Sequence, residues 1–410
     1  MPSVVRARLL TFIKAFCFVS ACVAGCNAAG DVTAVVPKPD PHPLPLQPMD
    51  TSLLPLKGVQ LPLHGKILFV SDEKNPAGNL FMMNTDGSGL MQITTDALGF
   101  SCVSSSPDGR RVAFIRQGRI YTMLLDRSDF HVLAVPEVGA NFNCPVWSKD
   151  GSKLAFLSSV LKEKQPITST LYSVNADDSS PIRLLSGLNF FNIEWSPDGS
   201  QILFSSASYS PNGGLYDFII NVVSSDGLRR TTVPGGYWDV AWSPSGGEFA
   251  FDCGTQLQIC IASSDGSRIR QLTNSDSSSF NPRWSPDGNS ISYICVPARC
   301  VMNADGTSSR QIIPPSIANG NLTWSPDSRR LAFSCLGSGQ ISVGVQSQDI
   351  CTVNADGTNF RRLTNSTPRC WSSKMFVQLA SRQSTSSTSP GTSTSHKRRS
   401  KLTSPCPLPA

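Results

Sequence analysis

The chain of 410 residues has few of the side chains on which most enzymes depend. Its four histidines, His42, His64, His131 and His396, are scattered and are not grouped with an acid or a nucleophile. No G-x-S-x-G elbow, H-E-x-x-H zinc motif or glycine-rich phosphate loop occurs in the sequence. The local signatures of serine hydrolases, zinc peptidases and nucleotide-binding enzymes are therefore missing. We expect no catalytic residue, no metal site and no cofactor.

Charged residues are also scarce, at 16% of the chain, and the formal net charge of +6 is concentrated at the two ends. Segments 1–25 and 376–410 together carry eight basic residues and no acidic ones. Without those segments, 27 basic residues face 29 acidic ones. A nucleic-acid-binding domain is expected to present a basic face, so the near-neutral body argues against a nucleic-acid partner.

A long apolar run is also absent. The longest apolar stretch of the N-terminal leader, residues 15–25, is shorter than the roughly 20 residues that a membrane-spanning helix needs. Residues 1–25 are predicted to be a signal peptide, because basic residues precede this short apolar segment. The sequence V-A-G-C ending at Cys26 resembles a bacterial lipobox, which implies cleavage before Cys26 and its acylation. The alternative is ordinary secretion, with cleavage near Ala28 or Ala29.

We therefore expect an exported protein that is held to the membrane by a lipid anchor and faces the periplasm or the cell surface. The alternative is a secreted protein. Residues 26–65 are rich in proline and are predicted to form an extended tether. Residues 376–410 are rich in Ser and Thr, are basic, and are predicted to be a disordered tail. A frameshift after the last strand would also produce such a tail.

A turn motif recurs between these two segments. Its most regular copy is the W-S-P-D-G sequence at 284–288, and the other copies lie at 106–109, 147–151, 195–199, 242–246 and 324–328. A second motif, typified by N-A-D-G at 303–306, follows each copy. Both motifs are typical of tight turns. Pro fixes the φ angle, the Asp side chain hydrogen-bonds to the nearby backbone, and Gly adopts the left-handed conformation. We therefore assign their recurrent aspartates to turn formation rather than to catalysis or calcium binding.

Short apolar strands separate the turns and give four strands in every 40–48 residues, which is the size of a propeller blade. The sequence thus predicts an all-β propeller over 66–375. Six complete blades are visible. The segments 66–94 and 367–373 supply the two parts of a split closing blade, with Trp371 at the position of the repeated tryptophan. This count gives seven four-stranded blades, and six blades are the alternative.

The repeat of W-S-P-D-G, an apolar strand, N-A-D-G and R-x-L-T resembles the TolB-type propeller repeat, a relative of the WD repeats. The resemblance covers about 310 residues and implies six blades by analogy, whereas the copies in this chain indicate seven. TolB carries an α/β domain before its propeller. A proline-rich segment takes that place here, so a direct role in the Tol–Pal envelope system is doubtful.

Six cysteines keep a fixed register with the two turns. Three lie eleven residues after a repeated tryptophan and three lie five residues before the aspartate of the second turn. Adjacent antiparallel strands bring such positions within disulfide range. The predicted pairs are Cys253–Cys260, Cys295–Cys300 and Cys335–Cys351. Cys102 and Cys144 occupy matching positions in two adjacent blades and are a further possible pair. Buried free thiols are the alternative for the first three pairs.

These observations lead us to expect a non-catalytic propeller, a monomer, that binds a protein or a glycan at the cell envelope. A structural or assembly scaffold is the alternative. A lyase or lactonase with its site at the central channel is a third reading, for which the first strands of the blades offer Asp239 and Glu194. Partner binding is expected in the variable loops 158–170, 205–217 and 336–349, and the candidates there are Lys162, Tyr209 and Tyr216.

Overall fold

Seven antiparallel sheets, arranged as the blades of a propeller, make up the computed structural model. It describes residues 66–71, 79–94, 101–137, 139–160, 167–177, 180–209, 215–317, 321–342, 345–364 and 378–379. The predicted leader, Cys26 and the proline-rich tether lie outside these ranges. Among the described residues, no helix is long and apolar enough to cross a membrane.

The described residues contain 29 strands, and all but the last follow each other in chain order from blade to blade. Blades 1 to 3 contain β1 (Lys66–Ser71), β2 (Asn79–Asn84), β3 (Met91–Gln92), β4 (Ser101–Ser105), β5 (Arg111–Arg116), β6 (Arg119–Leu124), β7 (His131–Ala134), β8 (Ala140–Phe142), β9 (Val146–Trp147), β10 (Lys153–Val160), β11 (Thr168–Asn175) and β12 (Ile182–Leu188). Blades 4 and 5 contain β13 (Phe190–Trp195), β14 (Gln201–Tyr209), β15 (Leu215–Ser224), β16 (Arg230–Pro234), β17 (Gly236–Trp242), β18 (Glu248–Cys253), β19 (Gln258–Ser263) and β20 (Ile269–Gln271). Blades 6 and 7 contain β21 (Ser279–Trp284), β22 (Ser290–Cys295), β23 (Ala298–Asn303), β24 (Arg310–Ile313), β25 (Thr323–Trp324), β26 (Arg330–Ser342), β27 (Val345–Asn354) and β28 (Arg361–Arg362), and the last strand is β29 (Gln378–Leu379).

The split closing blade is confirmed, but its C-terminal strand is not the predicted one. β29 pairs antiparallel with β1, through Leu379 opposite Ile67 and Gln378 opposite Leu68. It lies inside the segment 376–410 that we expected to be a disordered tail. The predicted strand 367–373 and Trp371 lie outside the described residues. The resulting sheet has the order β29-β1-β2-β3 and joins the two ends of the propeller.

The turn aspartates act as the sequence predicts. In blade 5, Asp265 Oδ1 accepts hydrogen bonds from Ser263 Oγ at 2.5 Å and from the backbone N–H of Ser267 at 3.0 Å. These bonds stabilise the carboxylate and lower the pKa of Asp265 to about 2. The glycine that follows, Gly266, has a φ of +75°, which favours a residue without a Cβ atom.

Apolar residues between neighbouring sheets form the core. Each blade contributes fully buried residues of its second and third strands, such as Phe114, Phe204, Phe251 and Phe333. The clusters combine residues of successive sheets, so each blade completes its core with the next one. The repeated tryptophans lie at these junctions.

The threonine of the R-x-L-T segment has a structural role in blades 1, 5 and 7. Its Oγ1 accepts a hydrogen bond at 2.9 Å from a backbone N–H of the third strand, and the threonines concerned are Thr94, Thr273 and Thr364. The arginine of the same segment can contact the next blade. Arg310 Nη2 donates to the carbonyl of Ala355 at 3.0 Å. This explains why both residue types recur at a fixed distance from the N-A-D-G turn.

Four disulfides occur among the residues that the structure describes. Cys253–Cys260, Cys295–Cys300 and Cys335–Cys351 each join the second and third strands of one blade, with Cα atoms 5.8 Å apart. Cys102–Cys144 joins blades 2 and 3, with Cα atoms 4.8 Å apart. The first three bonds each link strands that are already paired, whereas the fourth links two separate sheets.

Candidate active site

First strands of neighbouring blades contact one another, as in the pairs β13–β17 and β17–β21, and the first strands of a propeller line its central channel. We call them the inner strands. Four of them contain a β-bulge where the pairing with the second strand shifts by one residue. Residues at the bulges have left-handed backbone conformations, with φ of +54° at Cys102, +43° at Asn192 and +58° at Asn281. Bulges in such positions re-aim side chains and often lie beside active sites.

Blade 5 departs from this pattern. Gly236 is opposite Cys253 and Val240 is opposite Phe251, so the register of β17 shifts by two residues rather than one. Three residues of the inner strand, ending with Asp239, therefore face a single residue, Asp252, on the second strand. The additional residue makes this bulge wider than those of the neighbouring blades.

Asp239 lies at the end of the wide bulge and is 5% exposed. Its Oδ1 accepts a hydrogen bond from Asn192 Nδ2 at 3.2 Å and lies 3.6 Å from Arg283 Nη2. The side chain of Asn281 also bonds to it. Burial raises the pKa of Asp239, and the positive charge of Arg283 opposes that shift.

Asp252 lies behind Asp239 on β18 and is fully buried. Its two oxygens bond to backbone N–H groups of two different inner strands. Oδ2 accepts from Asp239 at 3.2 Å and Oδ1 accepts from Asn281 of blade 6 at 2.9 Å. Burial, followed by repulsion from the Asp239 carboxylate, raises the pKa of Asp252 well above its ordinary value. The two carboxyl groups therefore disfavour carrying two negative charges at once.

Glu194 is on the inner strand of blade 4 and is half-buried. Its Oε2 accepts a hydrogen bond from the backbone N–H of Trp242 at 3.1 Å. Burial raises the pKa of Glu194 to about 7, although Arg283, the Trp242 bond and Lys149 each favour its charged form. A carboxyl group with such a pKa can both accept and return a proton near neutral pH.

Arg283 supplies the positive charge of the site. Its side chain is 33% exposed, and its Nη1 donates to the carbonyls of Pro282 at 2.8 Å and Val240 at 3.4 Å. The guanidinium thus reaches from blade 6 to the inner strand of blade 5. We define the polar cluster as Glu194, Asp239, Asp252 and Arg283.

The polar cluster occupies a part of the ring where a repeated contact is missing. In blades 3, 4 and 7 the indole N–H of the repeated tryptophan donates to the inner strand of the preceding blade, in the pairs Trp147–Ser104, Trp195–Val146 and Trp324–Arg283. In blades 5 and 6 the buried indole nitrogens of Trp242 and Trp284 have no such partner. Side chains of the polar cluster bond to the inner strand of blade 5 instead.

Two members of the polar cluster, Glu194 and Asp239, are the carboxylates that the sequence offered for a channel site. Asp252 and Arg283 were missed. A signal for Asp252 was available, because it is a charged residue within the apolar segment F-A-F-D-C at 249–253. Arg283 directly precedes the repeated tryptophan and gave no comparable signal. The bulges that bring these residues together depend on pairing that the sequence does not reveal.

The predicted partner-binding loops are shorter than expected. The hairpins between the second and third strands are extended by pairing, for example Ser208 with Tyr216 and Tyr209 with Leu215. Tyr209 and Tyr216 therefore lie on β14 and β15 rather than in a loop. The same extension occupies most of 336–349, and it occupies the two ends of 158–170, at 158–160 and 168–170. Lys162 lies outside the described residues.

Metal ligands are not assembled in the part of the chain that the structure describes. No group of three or more His, Cys, Asp or Glu residues there could hold a metal ion. The carboxylates of the polar cluster are already bonded to backbone N–H groups or paired with Arg283. This donor set does not fit a resident metal, and we derive no step through one.

Comparisons with known proteins support the fold. No protein-family model matches the chain. An oligogalacturonate lyase in complex with manganese has a TM-score of 0.55 at 16% identity, covering 66% of this chain and 82% of that one. The acylaminoacyl peptidase of Pyrococcus horikoshii has a TM-score of 0.56 at 13% identity, covering 73% and 51%. TolB of Acinetobacter baumannii, at 16% identity, has a TM-score of 0.48 and covers 80% and 69%. The seven-bladed propeller predicted from the repeats is confirmed as a fold.

One curated relative also matches. It is the uncharacterized peptidase YuxL of Bacillus subtilis, 31% identical over 130 residues, which are 29% of this chain and 18% of the relative. The match thus spans about a fifth of that protein. Because this relative and the lyase and peptidase structures are all enzymes, the expectation of a non-catalytic binding protein is wrong. The third reading of the sequence, an enzyme with a channel site, agrees better with these findings.

Proposed function

We propose that this propeller is an enzyme of the lyase kind whose reacting site is the polar cluster. The observation that carries the proposal is the gathering of three buried or half-buried carboxyl groups and one arginine on three consecutive blades. Buried ionisable groups with shifted pKa values are typical of active sites. This cluster also lies where the repeated tryptophan hydrogen bond is missing, at Trp242 and Trp284. A structural role shared by all blades does not explain that local difference.

A lyase reaction assigns a role to each exposed group. Glu194 acts as the base and removes a proton from the carbon next to a substrate carboxyl group. The electron pair forms a carbon–carbon double bond, and the bond to the leaving oxygen on the next carbon breaks. The leaving oxygen then takes up the proton that Glu194 removed, which returns the carboxylate to its starting state. Arg283 stabilises the negative charge that develops on the substrate carboxyl group as the proton leaves.

The remaining two groups hold this arrangement. Asp239 pairs with Arg283 and fixes the direction of the guanidinium. Asp252 bonds to the backbone on both sides of the bulge and is too deeply buried to contact a substrate. We therefore assign it a positioning role.

The test uses oligogalacturonate, the substrate named for the similar lyase structure, together with oligosaccharides of other uronic acids. Formation of the double bond is followed by ultraviolet absorbance. We expect product with the wild-type protein and a loss of at least about a hundred-fold in rate with Glu194→Gln. Glu248→Gln, on β18, is the matched control and keeps the activity. Full activity of Glu194→Gln, or no product from any of these substrates, would refute the assignment.

A second candidate is suggested by the peptidase YuxL. In that case the protein would act in peptide hydrolysis rather than in a lyase reaction. The relative's identity of 31% over 130 residues favours this reading. Hydrolysis of chromogenic peptide substrates, unaffected by Glu194→Gln, would support it over the lyase.

We also propose that the protein functions outside the cytoplasm. The four disulfides support this location, because such bonds persist in oxidising compartments. The predicted leader and the lipobox-like sequence at Cys26 add to this support. Metabolic labelling with a fatty acid, compared with a Cys26→Ser variant, tests the anchor.

A further inference from the structure

Four aromatic side chains form a continuous row beside the polar cluster. They are Phe191, Phe218, Tyr237 and Trp238, and we call them the aromatic row. Ring centroids are 5.0 Å apart between Phe191 and Trp238, 4.8 Å between Trp238 and Phe218, and 5.1 Å between Phe218 and Tyr237. The row therefore bridges blades 4 and 5 with continuous ring-to-ring contact.

The aromatic row does not serve the main core. All four rings are half-buried, whereas the phenylalanines between the blades are fully buried. None of the four belongs to the apolar clusters that join the described blades. Large rings that remain partly exposed in one group, rather than singly, are typical of a binding surface.

The wide bulge of blade 5 creates this row. Tyr237 and Trp238 are two of the three bulged residues, and Asp239 is the third. The carbonyl of Trp238 is fixed by hydrogen bonds from Asn192 Nδ2 at 2.7 Å and Ser205 Oγ at 2.9 Å. The same register shift thus presents the aromatic rings and places the carboxylate of Asp239 next to them.

Polar groups lie along the row. Asn192 is exposed, and its amide already bonds to both Trp238 and Asp239. Asp217, next to Phe218, is exposed as well. A sugar ring has a face of C–H groups that packs on an aromatic ring and a rim of hydroxyls that bonds to amides and carboxylates. A lipid chain would use the rings but would leave these polar groups unmatched.

We propose that the aromatic row is a subsite that stacks a pyranose ring of an oligosaccharide substrate beside the polar cluster. Calling the bound sugar a substrate rests on the proposed function. The claim that the aromatic row binds a sugar ring is separate from it. It defines the substrate as a carbohydrate long enough to extend from the row to Glu194 and Arg283.

The experiment measures binding to the inactive Glu194→Gln protein, so that turnover does not interfere. The probes are oligogalacturonate, a neutral cello-oligosaccharide and a proline-rich peptide, each titrated by calorimetry. We expect saccharide binding that Trp238→Ala weakens by about ten-fold or more, as expected for one lost stacking contact. Trp238→Phe keeps a ring and should retain most of the affinity. Phe360→Ala, which removes a 41% exposed ring on blade 7, should change nothing.

The outcomes separate this inference from the proposed function. Saccharide binding that depends on Trp238, without any lyase product from the wild-type protein, supports the subsite and contradicts the lyase. Lyase activity with saccharide affinity unchanged in Trp238→Ala overturns the subsite and leaves the lyase standing. Binding of the peptide alone, or of no probe, overturns the subsite as well. Urea unfolding of each variant shows whether the comparison is between folded proteins.

Discussion

The carboxylate of Asp252 in blade 5 accepts a hydrogen bond at 2.9 Å from the backbone N–H of Asn281 in blade 6. Its other oxygen bonds to the backbone of its own inner strand, at Asp239. One buried side chain therefore fixes the spacing of two inner strands. At the equivalent position, blades 3 and 6 carry the apolar residues Leu157 and Ile294, so this contact is a local departure from the repeat.

Replacing Asp252 tests this contact. Asp252→Ala leaves two buried N–H groups without acceptors, and we expect the free energy of unfolding to fall by about 2–4 kcal/mol. Asp252→Asn also destabilises, because an amide NH₂ then faces one of the N–H donors. Urea unfolding measures both, with Asp198→Ala in an exposed turn as the control. Unchanged stability in both Asp252 variants would contradict a role in joining the blades.

The four disulfides should differ in their contribution to stability. The loop closed by Cys102–Cys144 has a sequence separation of 42 residues, against 5 for Cys295–Cys300. In the chain-entropy model these loops correspond to about 4 and about 2 kcal/mol. Replacing each pair by serines should therefore destabilise the protein more in the first case, as measured by urea unfolding. If the free energy of unfolding fell equally in both variants, the stabilisation would not come from restricting the unfolded chain.

The repeated tryptophans offer a matched comparison. Trp195 Nε1 donates to the carbonyl of Val146 at 3.3 Å, whereas the buried Nε1 of Trp242 has no partner. Both residues are about 5% exposed, so Phe substitution removes similar packing at each. We expect Trp195→Phe to cost about 1 kcal/mol more than Trp242→Phe, which is the usual net value of one hydrogen bond. Thermal unfolding of the two variants gives the difference directly.

The blades could be predicted from the sequence because their turns are local. The bonds that Asp265 makes to Ser263 and Ser267 involve residues only two positions away, so the motif alone specifies them. The closing strand depends instead on pairing between residues about 310 positions apart, such as Ile67 and Leu379. The Trp-Ser sequence at 371–372 matches the repeat and led us to predict a strand at 367–373, which lies outside the described residues.

The candidate site was less predictable for a related reason. Asp239 could be placed on an inner strand, but its neighbours are set by a two-residue shift in register. Such a shift changes which residues lie opposite one another without changing the pattern of apolar and polar residues along the strand. The positions of Asp252 and Arg283 in the site therefore depend on strand register and packing between blades, which the spacing of residues in the sequence does not predict.

The pKa of Glu194 leads to two linked results. Because the base must be deprotonated, lyase activity should rise with pH and level off above a midpoint at about 7. The rate profile of the wild-type protein, measured at saturating and at low substrate, checks this. A midpoint near the ordinary value of 4.5 for a glutamate would show that Glu194 is not the base.

The effect on stability has the opposite direction. A carboxyl group whose pKa is higher in the folded protein binds its proton more tightly when folded, so the associated stability is present at low pH. It is fully present below about pH 4.5 and is lost as the pH rises from there to about 7. Glu194→Gln stays neutral and should therefore be more stable than the wild-type protein at about pH 8, by at most about 3 kcal/mol. At about pH 4, below the ordinary glutamate pKa of 4.5, the two proteins should unfold at similar urea concentrations. A variant that is less stable than the wild type at both pH values would show that the Glu194 carboxylate is favourably held, and that its burial does not penalise the charge.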